Sequence, residues 1–260
     1  MIEPDRVVTI AHVSDMHLGA HSDAAVRDLV GDVAAARPTV TVVTGDSTMR
    51  ALPEQFRRVR AVLDGLPRPL LVVIGNHDVP LRNPVQRLLR PYTGYRTWIT
   101  DELDPVLDLT GVRVQGLGSC PRWRWKSGRV TRRQTDLLVR SLAGAPPDAL
   151  RVVALHHPVS QRAPGGLIGR ARLLAGLTRA GVDLVLAGHT HLPTAGRAHS
   201  FLEVVAGTAT STRTRGAGRS WTLIRAAPEE ITVEHRRHDD AGWHDGPRAR
   251  FPRSRRLAQP

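Results

Sequence analysis

Five near-continuously apolar runs, each ending in a short polar turn that carries Asp, His or Asn, constrain this chain more than any other feature. The runs at Val7, Val40, Leu70, Val152 and Leu184 lack the alternation of a half-solvated strand. They therefore predict strands buried on both faces of a mainly parallel sheet. Amphipathic segments lie between them. Helices are expected from Ser22, a candidate N-cap, to Arg37, from Glu54 to Leu63 entered through Pro53, from Thr131 to Leu142 and from Leu167 to Ala180. This alternation is that of an α/β domain. The last quarter changes character: short strands near Arg197, Phe201 to Ala206, Trp221 to Arg225 and Ile231 to Glu234 follow one another without helices, as in an antiparallel or mixed sheet that completes the core. We read residues 5–235 as one domain and 236–260, rich in arginine and poor in apolar residues, as a disordered or loosely docked basic tail.

The turns after the strands carry the chemistry. HVSDMH ends the first run, VVTGD the second, VVIGNHD the third, ALHHP a later one and VLAGHTH the last. Open α/β sheets bind ligands at the carboxyl ends of their strands, and here five strands deliver Asp15, His17, Asp46, Asn76, His156, His189 and His191 to that edge. The i, i+2 spacing of Asp15 and His17, repeated in His189 and His191, lets two extended residues point the same way. Asp46 and Asn76 each follow a glycine that permits a sharp turn, and a carboxylate at Asp46 can bridge two cations. Mixed imidazole and carboxylate donors suit Mn, Fe, Zn or Co better than Mg or Ca. Two such cations about 3.5–4 Å apart can bind a phosphoryl group and convert a bridging water to hydroxide at neutral pH. His77 is read as the group that stabilises the transition state and protonates the leaving oxygen, with Asp78 as its orienter. The remaining histidines have blander readings. His12 lies within a strand as a core residue, His157 is structural, His21 is a surface or capping residue, and His199, His235, His238 and His244 belong to the surface or the tail.

These residues stand in five blocks: Asp15–His17, Gly45–Asp46, Gly75–Asp78, His156–Pro158 and Gly188–His191. Their order and spacing resemble the calcineurin-like metallophosphoesterases over roughly residues 7–210. More narrowly, IAHVSDMHLG, TVVTGDSTMR and LLVVIGNHDVPLRNP resemble the bacterial Icc-like branch, related to class III cyclic-nucleotide phosphodiesterases. The resemblance implies an α/β/β/α sandwich of two mixed sheets flanked by helices. It also implies that Asp15, His17 and His191 hold one metal and Asn76, His156 and His189 the other, with Asp46 between them and His77 over the phosphate. GDSTMR and GNHD depart from the pattern of the serine/threonine phosphatases. His77 stands where branches acting on UDP-linked lipids tend to have arginine, and Ser47 stands where the Icc-like branch usually has leucine.

The expected function is therefore hydrolysis of a small-molecule phosphodiester, such as a cyclic nucleotide or glycerophosphodiester, with two divalent transition-metal ions (Mn, Fe or Zn) as cofactors. Arg82 or the arginines from Arg122 to Arg133 are candidates to hold remaining phosphate charge. A nuclease built on the same centre is the alternative, motivated by a net charge of +13. That charge, however, is almost all arginine in a chain also rich in Ala, Gly, Pro and Val, the skew that GC-rich codons produce. A non-catalytic scaffold is disfavoured because none of the seven ligand positions is replaced. No run approaches the ~20 apolar residues of a membrane span. The N-terminal stretch reads as a first strand and not as a secretory signal. The single cysteine, Cys120, fits a reducing cytoplasm and has no adjacent base to make it a nucleophile. The oligomeric state is left open, a homodimer included.

Overall fold

The computed structural model describes residues 7–160 and 166–253. In chain order the elements are β1 (Val8–Val13), α1 (Asp23–Ala35), β2 (Val40–Val43), α2 (Pro53–Gly65) and β3 (Leu70–Val72), then α3 (Pro84–Leu89), α4 (Thr93–Trp98), β4 (Val106–Leu109) and β5 (Val112–Leu117). They continue with α5 (Arg132–Ala143), β6 (Leu150–Leu155), α6 (Arg170–Arg179), β7 (Leu184–Ala187), β8 (Thr194–Ala198) and β9 (Phe201–Val205), and end with β10 (Arg219–Ala226), β11 (Glu230–Asp239), β12 (Gly242–His244) and β13 (Arg248–Pro252). A 3-10 turn covers Asn76–Asp78.

The strands form two mixed sheets, as the sandwich requires. One runs β12-β11-β10-β1-β2-β3 with β13 paired to β11, and the other runs β4-β5-β6-β7-β9-β8. The strands that feed the polar turns are parallel neighbours: β1, β2 and β3 in the first sheet, β6 and β7 in the second. Their residues are buried almost throughout because both faces are covered. Ile10, Val42, Val73, Val114, Val152, Leu186, Val204 and Ile224 belong to the cluster between the sheets. Leu29, Val33, Phe56, Val59 and Leu63 bring α1 and α2 onto the outer face of the first sheet, and Leu138, Leu142, Leu173 and Leu177 bring α5 and α6 onto that of the second.

Helix starts follow local signals. The Ser22 hydroxyl accepts from the backbone N–H of Ala25, and Thr131 and Gln134 form a reciprocal capping box at α5. α6 begins at Arg170, three residues later than expected, because Gly169 takes a left-handed φ of 84°. α3, α4 and β4 were not foreseen: the helices have six residues each, and β4 is a half-exposed edge strand of four.

The late strands do not make a sheet of their own. β8 and β9 join the second sheet, while β10 onward extend the first from β1 in antiparallel order. The expected tail is corrected most. Residues 236–239 continue β11, and β12 and β13 both pair with it. The Arg236 guanidinium binds the Asp32 carboxylate on α1, which also accepts from Trp221 Nε1 at 2.8 Å. Trp243 packs against the first-sheet core. Arginine-rich composition suggested disorder, but β13 is an edge strand whose exposed arginines flank a paired backbone. Residues 254–260 lie outside the described part. Among the described residues no helix is long and apolar enough to cross a membrane.

Candidate metal centre

All seven candidate ligands sit just beyond the carboxyl ends of the parallel strands. Asp15 and His17 follow β1, Asp46 follows β2, Asn76 opens the 3-10 turn after β3, His156 follows β6, and His189 and His191 follow β7. Ligand atoms of Asp15, His17 and His191 lie within 4.8 Å of one another, and so do those of Asp46, His156 and His189. Asn76 Oδ1 lies 3.1 Å from both His156 Nε2 and His189 Nδ1. The two groups meet at one atom: Asp46 Oδ2 is 3.7 Å from His17 Nε2 and 3.4 Å from His156 Nε2.

The backbone is unusual here. Asp15, His17, Asp46, His189 and His191 all have positive φ, between 49° and 71°. The i, i+2 pairs therefore do not converge as extended residues, as the sequence reading supposed, but as left-handed turns. Each such non-glycine conformation costs roughly 1–3 kcal/mol and persists only where the surroundings impose it. The surroundings are identifiable. Thr208 Oγ1 donates to the Asp15 carbonyl at 2.5 Å, Thr210 Oγ1 to that of Met16 at 2.6 Å, and Ser14 Oγ to Asp15 Oδ2 at 2.7 Å. None of these hydroxyls was singled out from sequence. The available signal was GTATST, another polar run directly behind a buried strand.

Glycines let the turns approach. A Cβ at Gly75 would stand 1.9 Å from the Asp46 nitrogen, and one at Gly188 would stand 1.9 Å from Ser14 Oγ and 2.4 Å from Asp15 Oδ2.

The donor set fits metal ions on this structure's own terms. His156 Nδ1 donates to the Thr44 carbonyl at 2.8 Å and His191 Nδ1 to that of Arg213 at 2.6 Å. Each ring thus holds a proton on its outer nitrogen and turns Nε2 inward, the arrangement that orients metal-ligating histidines. The inward nitrogens also crowd together, with His17 Nε2 only 3.0 Å from His191 Nε2. Asp15 Oδ1 is fully buried and receives no well-formed hydrogen bond, although His191 Nε2 is 3.2 Å away.

Positive charge is also demanded. Burial alone would raise the Asp46 carboxyl, but His156, His17 and His77 hold it below the usual range, and the same opposition holds Asp15 low through His17, His191 and His156. Burial likewise works against a charged His156, yet Asp46 and Asp15 push it up to about 9. Two carboxylates this deeply buried need compensating cations, which either protons or metal ions provide.

His77 lies beside this cluster, its ring 4.8 Å from that of His17. Its Nδ1 meets the Met49 carbonyl at 2.8 Å. That contact, and not Asp78, orients the ring, which corrects the role expected for Asp78. The Asp78 carboxylate accepts from the backbone N–H groups of Ser47, Thr48 and Gly75, which tie the turn after β3 to the turn after β2. Burial and the nearby Asp46 charge push it up to about 6 against the pull of those N–H groups.

Other histidines fall as follows. His12 is core and bonded to Thr44 Oγ1. His157 is structural, held between Ser119 Oγ and the Lys126 carbonyl. His21 accepts from the Gly19 N–H. His235 and His238 are corrected from surface to half-buried positions, bonded to Thr222 and Asp28. Cys120 is buried, and burial holds its thiol well above its usual value, so it is no nucleophile.

A cleft of about 560 Å³ opens over the cluster, lined by Asn76 and His77 and by Met49, Arg50, Leu81, Arg82, Trp125, Lys126 and Arg213. Arg82 stands where the sequence suggested. Arg122 does not line the cleft: it reaches the Leu88 carbonyl and lies over Trp123, as Arg129 does.

The family model described as calcineurin-like phosphoesterase matches residues 8–193. A probable cyclic nucleotide phosphodiesterase of Rhodococcus erythropolis is 30% identical over 206 residues, which cover 71% of this chain and 65% of that protein. A cAMP/cGMP dual specificity phosphodiesterase of Mycobacterium tuberculosis is 25% identical over 88% of this chain and 78% of that one. The chain thus spans slightly less than two thirds of the Rhodococcus relative's length. Among solved structures, a dimetal phosphatase from Danio rerio superposes with a TM-score of 0.68 at 14% identity, covering 95% of this chain and 99% of that one. A purple acid phosphatase from yellow lupin gives 0.70 at 14% identity, covering 95% and 53%. At that identity these two share the fold.

Proposed function

The chain belongs to the calcineurin-like phosphoesterase family, and from that premise we propose that it is a metal-dependent phosphodiesterase acting on a small-molecule diester, such as a cyclic nucleotide or a glycerophosphodiester. The observation that carries the reading is the placement of a single Asp46 oxygen between two groups of inward-facing donors. Asp15, His17 and His191 would hold one divalent cation and Asn76, His156 and His189 the other, with Asp46 shared. When bound, the two cations supply Lewis-acid activation of the phosphoryl group and of an attacking water. The imidazole and carboxylate donors favour Mn, Fe or Zn.

The chain's own residues do the rest. Met49 fixes His77 through Nδ1, leaving Nε2 as the nitrogen available to the cleft that His77 lines. Burial lowers the His77 pKa. An anionic phosphate in the cleft opposes that shift and favours the protonated ring, which can then hand a proton to the leaving oxygen. The volume of the cleft, about 560 Å³, is that of a small-ligand site.

Purified protein reconstituted with Mn²⁺ should bind two metal ions per chain by elemental analysis and hydrolyse bis(p-nitrophenyl) phosphate. Asp46→Asn should lose both properties. Folded protein that turns over no phosphoester with Mn, Fe, Zn or Co overturns the reading.

A further inference from the structure

The cleft beside the metal cluster carries more positive charge than a simple diester can use. Arg50, Arg82, Lys126 and Arg213 line it, and no carboxylate stands among its lining residues. None of the four side chains forms an ion pair among the described residues; Arg213 Nη1 lies 3.9 Å from Met49 Sδ. They come from separate turns, Arg50 after β2, Arg82 after the 3-10 turn, Lys126 before α5 and Arg213 after β9. Their meeting at one cleft is therefore a product of the fold and not a local charge run. A phosphodiester bears one negative charge, which metal ions held by the candidate ligands would take. Four cations that share a cleft with no acid give it a positive potential, which favours a ligand that brings further anionic groups.

The same wall holds Trp125, 55% exposed. Its ring has the Arg87 guanidinium on one side, 5.4 Å from the centroid. Arg87 is itself buried and bound to the carbonyls of Val79, Pro80, Arg122 and Arg124. The indole thus lines the cleft with a fixed guanidinium over its ring, and an exposed aromatic ring in a basic cleft is what platforms for aromatic bases are made of.

We propose that the cleft takes a nucleotide diester bearing at least one phosphate beyond the scissile one, its base stacked on Trp125 and its additional phosphate held by the Arg82–Lys126 side. This deepens the phosphodiesterase reading and rests on it for turnover, but not for binding.

Two matched dinucleotides test it, ApA and its 5′-phosphorylated form pApA, which differ only by that phosphate. Wild-type protein with Mn²⁺ should prefer pApA in kcat/KM by about tenfold, the size of one or two exposed charge pairs. The ratio should fall toward one in Arg82→Gln/Lys126→Gln and with rising salt. Equal kcat/KM values in the wild type overturn the inference. So does turnover of bis(p-nitrophenyl) phosphate without turnover of either dinucleotide, a result that leaves the phosphohydrolase reading standing.

Calorimetry on chelator-treated protein reads the cleft without chemistry. ADP should bind about tenfold tighter than AMP, and Trp125→Ala should weaken both about tenfold through lost stacking, with Trp125→Phe restoring most of it. That pattern sustains the inference even where no ester is hydrolysed. Equal affinity for ADP, AMP and adenosine overturns it.

Discussion

Asp78 and Thr48 are joined twice: the buried carboxylate accepts from the Thr48 backbone N–H at 2.8 Å and from the Thr48 hydroxyl at 3.0 Å. Thr48 Oγ1 also lies 3.0 Å from the His77 carbonyl. Asp46 and His77 therefore sit on two turns clamped to each other by a residue that reaches neither metal group. Removing the clamp leaves the N–H groups of Ser47, Thr48 and Gly75 buried without their acceptor, a loss of about 2–4 kcal/mol. Asp78→Ala should lower the urea midpoint by a corresponding amount, whereas Asp78→Asn, which keeps one acceptor oxygen, should lower it less. A direct role in orienting His77 predicts instead that Asp78→Asn loses turnover at unchanged stability, and that outcome would refute the clamp.

The glycines beneath the site make a sharper test. A Cβ at Gly75 meets backbone and carboxylate atoms of Asp46, so the turn must move, and displacements of about 1 Å at a reacting centre cost about a hundredfold in rate. Gly75→Ala and Gly188→Ala should each lose at least that much activity together with metal content. Gly31, exposed within α1 with nothing within 4 Å of its would-be Cβ, is the contrast. Gly31→Ala should raise stability by roughly 0.5–1 kcal/mol by restricting the unfolded chain. Melting curves and metal analysis of the three variants check both halves.

Much of this was legible in the sequence because it lay in two strong signals. Apolar runs such as TVTVV and LLVVI mark strands covered on both faces, and the polar residue that breaks each run marks its carboxyl end, so Asp46 and Asn76 could be placed on a common rim without coordinates. What could not be read depends on contacts distant in sequence. Left-handed Asp15 and His17 are imposed by Thr208 and Thr210, almost two hundred residues away. Adjacency made Asp78 look like the partner of His77, whereas the 3-10 turn sends its carboxylate toward Thr48 and gives His77 to Met49. The end of the chain was misjudged because an edge strand needs only backbone partners and a few anchors. Arg236 on Asp32 and Trp243 on the core supply them in a segment whose composition shows many arginines and few apolar residues.

Two buried histidines outside the set of candidate ligands set an acid limit. Burial, with the nearby His235 charge, lowers His12 to about 3, and burial, with Arg237, lowers His235 to about 4. Both are neutral in the folded protein at moderate pH, while in the unfolded chain each titrates near 6.5. Above that pH neither state binds a proton there and the pair contributes nothing. As pH falls from about 6.5 toward 4, the unfolded chain takes up protons that the folded one refuses, and stability is lost. The urea midpoint of the wild type should therefore fall between pH 7 and pH 5, and His235→Gln should fall less over the same interval. An identical pH dependence in the two proteins would remove His235 from the account.

Arg87 is an arginine spent on the backbone. It is 4% exposed, and its fork donates to carbonyls on both walls of the cleft, to Val79 and Pro80 on one side and to Arg122 and Arg124 on the other. Burial lowers its pKa, but guanidinium remains charged at any ordinary pH. Five donors in a rigid plane can serve both walls at once, and an ammonium cannot. Arg87→Lys should therefore not rescue what Arg87→Ala loses. Both variants free the segment that carries Trp125 and Lys126 from the turn that carries Arg82, while the ligands of the metal cluster keep their own supports. The expected signature is a KM for bis(p-nitrophenyl) phosphate raised several-fold with bound metal unchanged, accompanied by faster hydrogen exchange at residues 121–128. A fall in metal content with unchanged KM would instead assign Arg87 to the support of the cluster.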